Sequence, residues 1–243
     1  MMQDFDRAVD DIVKSDYRTS DVFKKYGITY CCTGQVPLKT VCLEKKIEFE
    51  LIKGDLDLAT VDIRIPNCLP FNEWELDFLI DYIVHIHHNY IYQTILALGS
   101  ELRSFAFSHN KKYPEMLRIA ELFDKLSTLL IVHNQHEDEI IFPYIKQIES
   151  VHRRKEEYGN LFVRTLRKSL SIVEKQHIQT QPLLNQIRIL TNGFTFSNNA
   201  CTNYQVLFHK LEEFHDNLQQ HRILESNVLF PRAKAIELQL LLK

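Results

Sequence analysis

The chain has 243 residues, 45% of them hydrophobic and 25% charged, enough to bury a sizeable core and too evenly balanced for a disordered or fibrous polypeptide. A net charge of -3 and a pI near 6.4 give no global electrostatic reason for a nucleic-acid partner, and no apolar run approaches the roughly 20 residues that span a bilayer. Five cysteines, odd in number and mostly scattered, fit a reducing compartment better than a disulfide scaffold; the start Met1-Met2-Gln3-Asp4-Phe5-Asp6 lacks the basic-then-apolar pattern of an export signal, so a cytoplasmic chain is expected.

With only 6 glycines and 7 prolines, long helices are favoured over a sheet-rich fold. The first pieces are short: a helix over about 5–14, a second over about 20–26 capped by Ser20 and stopped by Gly27, and one or two more between about 36 and 59. Between them lies the turn Tyr30-Cys31-Cys32-Thr33-Gly34. A disulfide between sequence neighbours closes a strained ring, so the vicinal pair is either structurally inert or made of thiols that exchange, pass electrons or bind metal transiently. Cys42, Cys68 and Cys201 read as small buried hydrophobes. Pro66 and Pro70 resist helix, and Asn72 with Glu75 three positions on then supplies a helix start, which divides the chain into a small helical domain over 1–66 and a larger one over 71–243.

Within the larger domain the pattern predicts helices at about 72–107, 113–147, 152–191 and 199–240. Breaks are expected at Ser108-His109-Asn110 with Pro114 just inside the next helix, at Glu149-Ser150, and from Thr191-Asn192-Gly193 to Asn198-Asn199. Pro143, Pro182 and Pro231 should kink or interrupt their helices, with Ile140-Ile141 and Val228-Leu229 packed inward beside two of them. Basic runs such as Arg153-Arg154-Lys155 read as solvated helix face, and Phe105, Leu130, Phe162 and Leu211 read as core.

The stretch His133-Asn134-Gln135-His136-Glu137-Asp138-Glu139-Ile140-Ile141-Phe142-Pro143 recurs as His221-Arg222-Ile223-Leu224-Glu225-Ser226-Asn227-Val228-Leu229-Phe230-Pro231, with His, Glu, Phe and Pro in register. On a helix, residues four apart share a face about 6 Å of rise apart, so each copy can aim an imidazole and a carboxylate at one point. His88 precedes His133 by 45 residues and His177 precedes His221 by 44, so the halves match at three positions each. Threaded up and down, the four helices form an antiparallel bundle whose core receives four imidazoles and two carboxylates. Such a donor set suits iron, manganese or zinc: two metals, each with two histidines, the carboxylates bridging, and open positions for a small ligand. His136, His152, His209 and His215 have no partner in the duplication and read as solvated or packed, while Asp138 and Glu139 extend a charged outer face.

These residues resemble the iron-sulfur cluster repair di-iron proteins, also called repair of iron centres proteins, over almost the whole chain. The family joins a small domain carrying Tyr-Cys-Cys-x-Gly, matched by Tyr30, Cys31, Cys32 and Gly34, to a hemerythrin-like bundle. The resemblance implies an all-α fold with two non-haem irons per chain, held by His88, His133, Glu137, His177, His221 and Glu225 and bridged by Glu137, Glu225 and an oxygen ligand, with His109 a further candidate. It implies repair of clusters damaged by nitrosative or oxidative stress through the supply of iron, with Cys31 and Cys32 as redox or iron-transfer thiols. Expected partners are damaged or apo iron-sulfur proteins, nitric oxide or dioxygen, and a second copy of the chain. The resemblance favours an iron donor over an enzyme; the alternative is binding or sensing of nitric oxide or dioxygen, or reduction of nitric oxide, at the centre. Departures are Asn89 where the family has Asp after the first histidine, Gln176-His177-Ile178 where it often reads Glu-His-Asp, and Thr33 in place of a second glycine.

Overall fold

The computed structural model describes residues 6–31, 35–62, 69–155, 166–197 and 199–242. Among them there are helices and turns but no strand, the sole β-type pairing being a bridge between Ala8 and Pro37. The chain forms two compact units, Met1–Asn67 with Phe194–Leu211, and Cys68–Gly193 with Glu212–Lys243.

The first unit holds α1 (Val9–Ser15), α2 (Thr19–Lys25), α3 (Leu38–Lys45) and α4 (Phe49–Ala59). Ile12, Phe23, Leu38, Ile52 and Leu56 are buried at its centre, each such side chain contributing roughly 1.5–3 kcal/mol by leaving water. Gly27, with φ +62, stops α2 and donates its N–H to the Lys24 carbonyl; an L side chain is strained there. Ser20 is not the cap. It lies inside α2 with its hydroxyl buried and without a hydrogen-bond partner, while Asp16 accepts from the Arg18 backbone N–H at 3.0 Å and the Thr19 hydroxyl donates to the Asp16 carbonyl at 2.7 Å. Cys31 and Cys42 join the core, Cys201 is half-buried against it, and Cys32, Gly34 and Cys68 lie outside the described residues. The segment Phe194–Leu211 contributes Val206 to this core, and its Thr202 donates to Asp10.

The second unit is a bundle of long helical rods. One comprises α5 (Leu76–Tyr82), a π-turn π1 (Ile83–His88) and α6 (Asn89–His109); the next comprises α7 (Glu115–His136), π2 (Glu137–Ile141) and α8 (Phe142–Arg154). The remaining rods are α9 (Leu166–Leu190), then α10 (Thr202–Leu224), which belongs to this unit from Glu212 on, π3 (Glu225–Leu229) and α11 (Phe230–Leu241). Helix α7 packs against α6 and α9, and α11 against α8. The expected core residues Phe105, Leu130 and Leu211 are buried; Phe162 lies outside the described residues.

Three local expectations change in ways the chemistry explains. Asn72 does not start a helix: α5 begins at Leu76, and the cap is the carboxylate of Glu149, which accepts the backbone N–H of Leu76 at 2.8 Å and of Asp77 at 3.0 Å. The break expected at Glu149-Ser150 is absent, because Glu149 sits inside α8, which ends only where Lys155 turns left-handed at φ 54. Pro143 and Pro231 each fall in the opening turn of a new α-helix immediately after a π-turn, and α9 runs through Pro182 without interruption. A proline lacks an N–H and its ring collides with the carbonyl four residues back; widening the preceding turn by one residue removes the collision without ending the rod. Phe142 and Phe230 accordingly donate five residues back, to the carbonyls of Glu137 and Glu225. Ile141, Val228 and Leu229 are buried as expected, but Ile140 is 51% exposed.

Burial raises the Glu149 carboxyl above its ordinary value, although the two backbone donors pull it down. Glu149→Ala strands the buried Leu76 N–H and the partly buried Asp77 N–H and should cost about 1–3 kcal/mol in urea unfolding. Glu149→Gln, which keeps one acceptor, should cost less.

Candidate metal centre

Each π-turn carries one of the matched residues: His88 is the last residue of π1, and Glu137 and Glu225 are the first residues of π2 and π3. His133 and His221 sit one turn earlier, in the last turns of α7 and α10, and His177 projects from the middle of α9. Such widened turns are rare and concentrate where side chains must be re-aimed.

These six residues converge in two overlapping groups, His88, Glu137, His221 and Glu225, and His133, Glu137, His177 and Glu225, the donor atoms of each group lying within 4.8 Å of one another. His88 Nε2 is 2.9 Å from His221 Nε2 and 3.5 Å from a Glu137 oxygen; His133 Nε2 is 3.3 Å from that same oxygen. Glu225 lies 2.6 Å from His221 Nε2 and 3.4 Å from His177 Nε2. Both glutamates are wholly buried, yet none of their four oxygens makes a hydrogen bond of acceptable geometry. Leaving two carboxylates dry and unpartnered is costly, and ring nitrogens crowded around them with lone pairs inward are the arrangement a cation rewards. The donor set therefore fits divalent first-row metal ions.

The electrostatics agree. Burial pushes His133 down to about 4 and lowers His221, so both are neutral imidazoles with a free lone pair. Burial, and then the neighbouring Glu225, hold the Glu137 carboxyl well above the carboxylate range. Burial opposes ionisation of Glu225 too, but His221, His177 and His133 outweigh it and hold that carboxyl well below its usual value. A cation between the groups favours ionisation of both.

Partners behind the imidazoles fix which nitrogen faces inward. Asp138 accepts from His88 Nδ1 at 2.8 Å and from the Tyr92 hydroxyl at 3.3 Å, so it belongs to the support of the site and not to the outer face that the sequence suggested. Burial, and then Asp138, push Tyr92 up to about 12, which keeps the phenol a donor. Gln176, in the place where the resembling family often has Glu, accepts from His133 Nδ1 at 3.1 Å. Of the other histidines near the first ligand position, His85 is exposed, and His87 is buried, stacked on His221 with ring centroids 5.9 Å apart and bonded through Nδ1 to Asn217 at 3.2 Å. His109 is not brought to the cluster. It ends α6, 21 residues along the chain from His88, where its ring stacks on Phe105 at 4.2 Å and bonds to Ser108. His136, His152, His209 and His215 also stand outside both groups.

Residues 79–233 match the model of the hemerythrin HHE cation binding domain, and residues 5–60 match that of a domain of unknown function, ScdA_N. Similar curated proteins include the iron-sulfur cluster repair protein YtfE of Enterobacter sp. (strain 638), 28% identical over 236 residues, 96% of this chain and 98% of that protein. Those of Citrobacter koseri and Escherichia coli O17:K52:H18 match at the same identity and coverage.

Asp138→Asn keeps the shape but weakens the hold on His88 Nδ1–H, and Asp138→Ala removes it. The expected result is a loss of metal affinity of roughly 10- to 100-fold for the alanine variant, and less for asparagine, in competition titrations against a chelator. Equal affinities across the three proteins would remove Asp138 from the site.

Proposed function

The chain belongs to the hemerythrin HHE cation binding domain family, which its residues 79–233 match, and from that premise we propose that it repairs iron-sulfur clusters by supplying iron from a di-iron centre. The observation that carries the reading is the sharing of Glu137 and Glu225 by both donor groups. His88 and His221 would hold one ion and His133 and His177 the other, with Glu137 and Glu225 available to both. Relatives aligned over nearly their whole length are named iron-sulfur cluster repair proteins, and the Tyr30-Cys31-Cys32 turn falls within residues 5–60, which match the ScdA_N model. No helix among the described residues is long and apolar enough to cross a membrane.

When bound, the irons are the cargo to be delivered, and oxygen and imidazole donors hold ferrous iron only moderately. The residues of the chain do the rest. Glu137 and Glu225 supply the negative charge that keeps two cations close together, and π2 and π3 aim them. Asp138 and Gln176 orient His88 and His133 so that Nε2 faces the ions. The buried aliphatic cluster beside the site, which includes Ile83, Ile141 and Leu229, keeps bulk water from competing for the metal. Cys31, buried in the first unit, and its neighbour Cys32 serve as the thiols that pass iron or electrons to the acceptor, since thiolates are the partners cluster iron prefers.

The test is iron per chain in anaerobically purified protein, before and after incubation with an apo iron-sulfur acceptor and re-separation. About two irons are expected at the start, as the bundle's paired donor sets predict, with clear loss to the acceptor afterwards. Iron that stays bound would move the function to nitric oxide or dioxygen binding. Glu137→Leu and His221→Leu should purify with markedly less iron, and full retention would sink the ligand assignment. Cys31→Ser and Cys32→Ser should keep their iron and deliver it more slowly; delivery at the parental rate removes the thiols from the mechanism.

A further inference from the structure

Five of the six converging side chains are at most 3% exposed, whereas that of His177 is 17% exposed. His177 borders a narrow cleft between α7, α9 and α10, with a volume of about 20 Å³, room for roughly one water. On one side the cleft is walled by the buried leucines Leu130, Leu184 and Leu218, which close packing holds in place. It is also lined by the longer polar side chains of Gln181, Gln219 and Arg222. Arg222, one residue after His221, reaches across from α10 to donate to the side-chain carbonyl of Gln181 on α9, and its second nitrogen donates to Gln219 at 2.9 Å. Gln181 is itself held, donating through Nε2 to Asn185 at 3.0 Å.

We propose that Arg222, braced between Gln181 and Gln219, is the gate through which metal ions pass between solvent and the centre on the His177 side. The inference rests on the reading of the six residues as a metal site. A cleft with room for one water cannot pass a hydrated metal ion, so something must move. The leucines are locked in the core, while the Arg222 brace consists of half-buried side chains held by a few hydrogen bonds, each of modest net strength. The guanidinium also sets a permanent positive charge at this cleft, so Arg222 slows passage twice, by filling the mouth and by repelling the ion. The brace is specific to this layout: it needs a glutamine on α9 four residues beyond His177 and a cation beside His221.

The experiment is stopped-flow uptake of cobalt(II) by metal-free full-length protein, followed by visible absorption, with metal content at saturation measured on the same samples. Arg222→Ala should speed uptake by about tenfold, the scale on which a local charge alters the encounter rate, while final metal content stays that of the parent. Gln181→Ala, which leaves the charge but frees one end of the brace, should speed uptake by a smaller factor, and it carries the test if the arginine variant does not fold. Uptake by the parent should quicken as salt rises and screens the guanidinium, a dependence that Arg222→Ala loses. Equal or slower uptake in both variants overturns the gate while leaving the metal centre intact. A parent protein that takes up no cobalt at all overturns the centre itself, and the two failures are thereby told apart.

Discussion

Two carboxylates buried without hydrogen-bond partners are the constraint around which the bundle is built. Glu137 and Glu225 are wholly dry, and in a low-dielectric interior their charge is tolerable only beside compensating charge. Four imidazoles surround them, but burial depresses His133 and His221, so protonated histidine is a poor source of that compensation. The alternative, a proton on one carboxyl, is the compromise visible in the opposite shifts of the two glutamates. Cations resolve the conflict for both at once, which is why folding and metal loading are expected to be linked in this chain.

The backbone is adapted to the same end. Regular α-helix suits each His-x-x-x-Glu pair, whereas the proline six residues after each glutamate disfavours it, even though α9 carries Pro182 without interruption. The π-turns reconcile the two demands. They begin at the glutamates and give Pro143 and Pro231 a place in the first turn of the next α-helix. With the rods continuous across the site, Ile141, Phe142, Leu229 and Phe230 pack in one cluster directly beyond it, closing that side to water. The remaining exposure lies on the His177 side, where buried leucines share the lining with polar side chains that hydrogen-bond to one another.

Support for the ligands is uneven in a chemically consistent way. His88 leans on a carboxylate, Asp138, and His133 on an amide, Gln176. A charged acceptor makes the imidazole behind it the stronger donor, so His88 is the more basic of these two donors. Burial and basicity thus point the same way, since the group that contains His88 is fully buried and the group that contains His177 is not.

The sequence by itself determined the all-α class and the six converging residues. Both are local or repeated signals: a four-residue spacing on a helix face, a duplicated stretch from His to Phe-Pro, and scarce glycine. What only the tertiary structure decided are the interactions whose partners stand far apart in the chain. Glu149 looked like a helix break and is the cap of α5, reached across 73 residues; Asp138 looked like solvated surface and bonds to His88, 50 residues away. Ser20 had the right chemistry for a cap, but Asp16 and Thr19 make the contacts at that end. His109 had the right residue type, but helix length carries it to the far end of α6. Arg222 and Gln181, 41 residues apart, carried no signal at all. Periodicity tells which residues share a face of one helix, but the neighbour that a face meets is set by how the rods pack, and no local pattern encodes that.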